Sequence, residues 1–255
     1  MSVKVKEVID ALERFAPLPL QESYDNAGLQ VGLTETEVSG ALLCVDVTEA
    51  VVREAAELGC NLIVSHHPIL FHGLKQLTDA TQPQRVVRLA LQNDIAIYSA
   101  HTNLDKAEDG VNYEIAERLG LIDVAPLSTC GVMGYLSAPM DSRFFLDRVK
   151  EVFRCECLMH NELLARPITS VAICGGAGES LLEAAIGQEA DVLITGEMRY
   201  HNFLGHEQEI QICVLGHYES EQYTVELLER VLSDSFPHMP IYKTEVNTNP
   251  IHYLY

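Results

Sequence analysis

Three short segments of this 255-residue chain concentrate imidazole and carboxylate groups: His66-His67-Pro68, His101-Thr102-Asn103-Leu104-Asp105 and His217-Tyr218-Glu219-Ser220-Glu221. Each follows an apolar run of strand character, NLIVS (61–65), IAIYSA (95–100) and QICVLG (211–216). Ligands of open α/β sheets bind beyond the carboxyl ends of the strands, so all three segments are expected on such a rim. Imidazole mixed with carboxylate suits Zn, Fe, Mn or Co, whereas Ca and Mg prefer oxygen alone. His217 and Glu221 are four residues apart and share one face of a helical turn. His66 and His67 face opposite ways if the strand runs through them, and can serve two different ions if the chain turns at Pro68. A single strand-end His is ordinarily a hydrogen-bonded surface or core group. Three clusters at equivalent strand ends favour metal binding instead.

Other candidates carry less. His72, His160, His206, His238 and His252 read as structural or exposed. Ser65 and Ser99 precede histidines but sit in no GxSxG elbow, which argues against serine nucleophilic catalysis. The turn Cys174-Gly175-Gly176-Ala177-Gly178 could offer backbone N–H groups to a phosphate, yet it lacks the GxGxxG order and the Lys of a P-loop. A tight turn that lets helix and sheet approach closely explains it equally well. Thr195-Gly196-Glu197 with His201 is a further polar strand end, able to line a cleft from a second lobe.

The elements that must position these groups are legible from periodicity. Helical spacing covers 3–16 and stops at Pro17 and Pro19. The apolar run 41–47, a helix capped by Thr48 and closed by Gly59, strand 61–65, helix 83–93, strand 95–100 and helix 111–119 follow. The pattern then restarts with strand 131–136, a helix after Ser142, strand 170–174, a helix from Glu179, strands 191–195 and 211–216, a helix over about 219–233 and a closing strand 240–246. Alternating apolar runs and amphipathic helices predict an α/β fold with two α/β lobes, each a mixed, largely parallel sheet flanked by helices. Pro126 and the Ser128–Gly131 stretch are the best candidate boundary. They predict a first lobe of 1–127 plus about 235–255 and a second lobe of 128–234.

Composition narrows the partners. There are 37 acidic against 17 basic side chains, a formal net charge of −20, with the excess spread evenly along the chain. Such a surface repels nucleic acid and anionic membranes, and no apolar run approaches a membrane span. The N-terminal residues show no secretory h-region, so a cytoplasmic protein is expected. Seven cysteines, odd in number and mostly in strand-like runs, fit reduced buried thiols. The Cys155-Glu156-Cys157 pair lacks the usual zinc spacing.

With these residues assembled, the sequence resembles the Nif-three-like family, whose bacterial members are often labelled GTP cyclohydrolase 1 type 2 homologues. The resemblance runs over essentially the whole chain. It rests on Asp25-Asn-Ala-Gly-Leu-Gln-Val-Gly32, Ser65-His-His-Pro68, His101-Thr-Asn-Leu-Asp105, Gly175-Gly-Ala-Gly178, Thr195-Gly-Glu197 with Tyr200-His201, Gly216-His-Tyr-Glu-Ser-Glu221 and Asn249-Pro-Ile251. The chain looks like the short form, without an inserted middle domain. The resemblance implies a two-metal site in the cleft between the lobes. It implies His66, His67, Asp105, His217 and Glu221 as ligands of two divalent ions (Zn, Fe or Mn), with Glu221 as bridge. His101 is implied to lie close by, as a group supporting the ligands or as an acid/base, and a homo-oligomer, a ring-shaped hexamer, as the assembly. Two function classes stay open on this reading. One is a metal-dependent hydrolase acting on a nucleotide-like or other heterocyclic small molecule, with GTP cyclohydrolase activity as one form. The other is a metal-handling or regulatory protein without turnover.

Overall fold

The computed structural model describes residues 2–254. They fall into two compact units, residues 2–107 with 224–252, and residues 108–223 joined by 253–254. In chain order the first unit contributes α1 (Val5–Phe15), β1 (Gly28–Val31), β2 (Ala41–Cys44), α2 (Glu49–Glu57), β3 (Leu62–Ser65), α3 (Gln82–Gln92), β4 (Ala96–Ser99) and α4 (Thr102–Lys106). The second unit holds α5 (Val111–Arg118), β5 (Ile122–Pro126), β6 (Val132–Met140), α6 (Ser142–Phe153), β7 (Met159–His160), β8 (Ile168–Cys174), α7 (Leu182–Gly187), β9 (Val192–Thr195), β10 (Gln211–Val214) and α8 (His217–Glu221). The chain then returns to the first unit as α9 (Thr224–Ser235) and β11 (Ile241–Lys243).

The first sheet has the order β1-β4-β3-β2-β11, parallel throughout except for β1. Every residue of β2, β3 and β4 is buried, as expected of parallel strands covered on both faces. Leu42, Ile63 and Ile97 pack with Val51 and Val52 of α2 and with Val86, Val87 and Ala90 of α3. Each such fully buried branched side chain contributes roughly 1.5–3 kcal/mol. Thr48 caps α2 by accepting from the Val51 N–H at 3.3 Å. The register sets up the site: Cys44 pairs with Ser65 and Ser65 with Ser99, so the residues after β3 and β4 leave the sheet at one level.

The second sheet, β5-β6-β8-β9-β10-β7, is more mixed than the first. Only β8–β9 and β9–β10 pair in parallel. Cys174, Thr195 and Val214 align across β8, β9 and β10, so Gly175, Gly196 and Gly216 follow strand ends lying side by side. Ala172, Leu193 and Ile212 form its core with Leu181, Leu182 and Ala185.

The boundary read at 127/128 moves to 107/108. Pro126 pairs with Val132 across the antiparallel β5–β6 hairpin, and the Leu127 N–H donates to Gly131 O at 3.0 Å. The Pro/Gly-rich stretch is therefore a turn inside one sheet, and α5 packs on β6 and β8. The return moves from about 235 to 224 for a similar reason. The helical stretch read over 219–233 breaks into α8 and α9, and α9 packs on α1, β2 and β11. No disulfide joins the seven cysteines, and burial pushes the Cys44 and Cys213 thiols up. No helix among the described residues is long and apolar enough to cross a membrane.

Candidate metal centre

Strand β3 ends at Ser65, and the next two residues bend while still following β2. The His66 N–H donates to Cys44 O at 3.1 Å and the His67 N–H to Val45 O at 2.9 Å. Ser65 Oγ donates to His67 O at 2.9 Å and lies 2.8 Å from Ser99 Oγ. These serines tie the ends of β3 and β4 together. The bend puts the two imidazoles at one end of the sheet, their ring centroids 4.9 Å apart. His101, beyond β4, brings a third ring 5.3 Å from His66 and 5.4 Å from His67. Each of the three offers a ligand atom, all within 4.8 Å of one another. Asp105 sits one turn along α4, its Oδ1 3.6 Å from His66 Nε2.

The proton positions follow from the partners. His66 Nδ1 lies 2.8 Å from Ala100 O, an acceptor that forces an N–H at Nδ1. Carboxylates play the same part for His67 (Asp46 Oδ1, 2.8 Å) and His101 (Asp25 Oδ1, 2.7 Å). In the second unit, His217 Nδ1 is held by Glu197 Oε1 at 2.8 Å, while its Nε2 lies 3.2 Å from Glu221 Oε2. Four imidazoles are thus anchored alike through Nδ1, each with Nε2 on the side away from its anchor. An acceptor behind each ring is the usual setting of metal-ligating histidine. Imidazole nitrogens and carboxylate oxygens gathered this closely are the donor types that suit a transition-metal ion, and the residues present therefore fit one.

Asp25 comes from the segment before β1 and caps α4. Its Oδ2 accepts from the Thr102 N–H at 3.1 Å and from Thr102 Oγ1. Burial alone would push its carboxyl up, but the hydrogen bonds from His101 and Thr102 outweigh that and hold it at about 2. A carboxylate lowered in this way adds stability above its unfolded value of 3.8, and that stability disappears as pH falls toward 2. Asp25→Asn is expected to cost about 2 kcal/mol at pH 7. The deficit relative to the natural chain should shrink steadily between about pH 4 and 2, read by urea unfolding across that range.

In the second unit the Gly-rich turn supports α8 rather than a phosphate. The N–H groups of Gly175, Gly176 and Gly178 donate to Asn112 Oδ1 (2.9 Å), Ser220 Oγ (3.0 Å) and Thr195 Oγ1 (2.9 Å). Gly176 O accepts from the N–H groups of Gly196 and Glu197 at 2.9 and 3.0 Å. Gly176 has φ +59°, and a Cβ there would collide with the Glu221 carboxylate. Gly216, with φ +108°, opens α8, and a Cβ there would strike the Glu219 carboxylate. Both positions need glycine so that His217 and Glu221 can sit where they do.

The structure therefore brings His66, His67, His101 and Asp105 together in one unit, and His217, Glu221 and Glu197 in the other. His72, His160, His201, His238 and His252 are exposed, and His206 is paired with Glu209 at 2.8 Å. No group of possible ligands among the described residues includes a cysteine. Asp25, Asp46 and Glu197 anchor imidazoles 76, 21 and 20 positions away, a role that no local spacing in the sequence signals.

Residues 3–250 match the Duf34/NIF3 (NGG1p interacting factor 3) family. The chain belongs to the Duf34/NIF3 family. Among its relatives, a Clostridium acetobutylicum protein named GTP cyclohydrolase 1 type 2 homolog is 33% identical over 266 residues, covering 98% of each chain. NIF3-like protein 1 of Drosophila melanogaster is 36% identical over 212 residues, 79% of this chain and 72% of that one. A hypothetical protein from Staphylococcus aureus, known from its crystal structure, superimposes with a TM-score of 0.91 at 26% identity over the full length of both chains. This Duf34/NIF3 chain thus pairs the family's fold with His, Asp and Glu groups able to hold a metal ion.

Proposed function

We propose that His66, His67, Asp105, His217 and Glu221 hold two divalent ions, Zn, Fe or Mn, with Glu221 bridging them. On this reading the protein is a metal-dependent hydrolase of a nucleotide-like or other heterocyclic small molecule. The observation that carries it is the common anchoring of four imidazoles through Nδ1, which leaves every Nε2 as a donor. Five protein ligands do not fill the coordination of two ions, so open positions would remain for water and substrate. When bound, the ions would supply Lewis acidity and water that ionises near neutral pH.

The remaining chemistry belongs to the chain. Asp25 fixes His101 with its proton on Nδ1, so Nε2 is free to accept a proton and return it to a leaving group. Thr102 and the α4 N-terminus hold Asp25 in turn, so the base is oriented before substrate arrives. Asp105, Glu221 and the anchoring Asp25, Asp46 and Glu197 bring five negative charges against four positive ones from two divalent ions, so the ions would offset nearly all of the acidity around the imidazoles. An acidic protein can in this way accept a phosphate-bearing substrate. Its assembly is proposed as a homohexamer and its place as the cytoplasm.

The test is to load purified protein with Zn, Mn or Fe and incubate it with GTP and with a broad metabolite mixture. Metal-dependent depletion of a heterocyclic compound, with water added to the product, is the expected result. No depletion with any metal would leave the metal-handling alternative as the better account.

A further inference from the structure

The Asp25–Gly32 segment does more than supply Asp25. Asn26 Nδ2 donates to Leu70 O at 2.8 Å, and the Leu70 N–H donates to Gln30 Oε1 at 3.3 Å. Gln30 Nε2 donates back to Asn26 O at 2.6 Å. This amide clasp fastens the segment before β1 to the loop that follows His66 and His67. The residues next to the clasp on either side are aromatic. Tyr24 precedes Asp25 and Asn26, Phe71 follows Leu70, and their ring centroids are 6.3 Å apart. Phe71 also stands 6.2 Å from His101, with the two ring planes at 83°. A continuous row of rings thus runs from solvent inward: Tyr24, Phe71, His101, then His66 and His67.

Core packing does not explain the outer two rings. Tyr24 is 66% exposed and Phe71 39% exposed, although the clasp fastens the nearby Asn26 and Leu70. Large aromatic rings kept at the surface on braced segments present π-faces at little ordering cost, which suits recognition of another flat ring. The row places such a ring beside Phe71, whose centroid is 6.2 Å from that of His101. Neighbouring charge argues against phosphate as the feature recognised here, because Lys106 of α4 is paired with Glu22 at 2.6 Å.

We propose that Tyr24 and Phe71 form a stacking subsite for the planar heteroaromatic ring of the substrate, braced by Asn26 and Gln30. This deepens the hydrolase reading and rests on it for the identity of the neighbouring centre.

The subsite is tested by binding alone. Guanosine and nicotinamide serve as planar probes without phosphate, titrated by ligand-observed NMR and calorimetry into the full-length protein with its metals in place. At least one probe is expected to bind. Its affinity should fall about tenfold or more in Tyr24→Ala and in Phe71→Ala, and stay within about threefold in Tyr24→Phe and Phe71→Tyr. Metal content, measured by elemental analysis, should be unchanged in all four variants. The proposal is overturned if neither probe binds, or if the alanine variants bind as tightly as the natural chain. It is equally overturned if those variants change the sedimentation of the oligomer without changing probe affinity, since the rings would then serve contact between copies. Failure of the hydrolase reading is distinguishable, because it would appear as missing metal or missing turnover with stacking intact.

Discussion

His101→Ala is expected to retain its full complement of metal while turnover falls by roughly 10²–10⁴-fold, the range typical of a removed general acid/base. The expectation follows from the placement of this ring. It lies 5.3–5.4 Å from the rings of both proposed ligands, yet its Nδ1 is tied to Asp25, which also caps α4. Removing the ring leaves His66 on Ala100 O, His67 on Asp46 and the Asp25 cap of α4 on Thr102, so the ions should stay. Comparing metal content with kcat on the substrate found by metabolite depletion separates the two effects. Loss of metal together with activity would instead make His101 a ligand. Unchanged kcat would remove it from the chemistry.

Replacing His66, His67 and His217 together with alanine should lower bound metal from two ions per chain to background. All three are anchored through Nδ1; His67 and His217 are partly exposed, while His66 is fully buried. A far-ultraviolet circular dichroism spectrum matching the natural chain shows the variant folded, with His66→Asn in place of alanine if it is not, and elemental analysis should then find no stoichiometric ion. Each replacement removes one imidazole donor, and the remaining Asp105 and Glu221 carboxylates suit oxygen-preferring ions better than Zn or Fe. Undiminished metal in this variant would mean that the ions bind elsewhere.

Much of the site was legible because the rule of strand carboxyl ends is a consequence of topology. Parallel strands β3 and β4 end in register at Ser65 and Ser99, so His66, His67 and His101 had to emerge at one level. The same rule, pressed further, would have found two of the three anchors. Asp46 follows β2 and Glu197 follows β9, both at strand ends. Asp25 lies before β1, the strand that runs antiparallel to its neighbour, and it is separated from His101 by 76 positions. No local pattern connects two such residues. The unit boundary was misplaced because Pro126 and Gly131 carry the same turn signal in a hairpin as in a linker. Only the pairing of Pro126 with Val132 distinguishes the two. The Gly-rich turn was similarly ambiguous, since its partners Asn112, Thr195 and Ser220 lie 17 to 63 residues away.

The net charge of −20 weighs against a nucleic-acid surface but says little about the substrate, because two divalent ions would offset most of the acidity around the imidazoles. Everything chemical in this account therefore depends on metal. The most direct measurement is the stoichiometry of divalent metal per chain, by elemental analysis of the natural protein purified without chelator and again after chelation and reconstitution with Zn, Mn or Fe. Two ions per chain in both preparations is the predicted result. A reconstituted protein that is folded and holds no stoichiometric ion would contradict it.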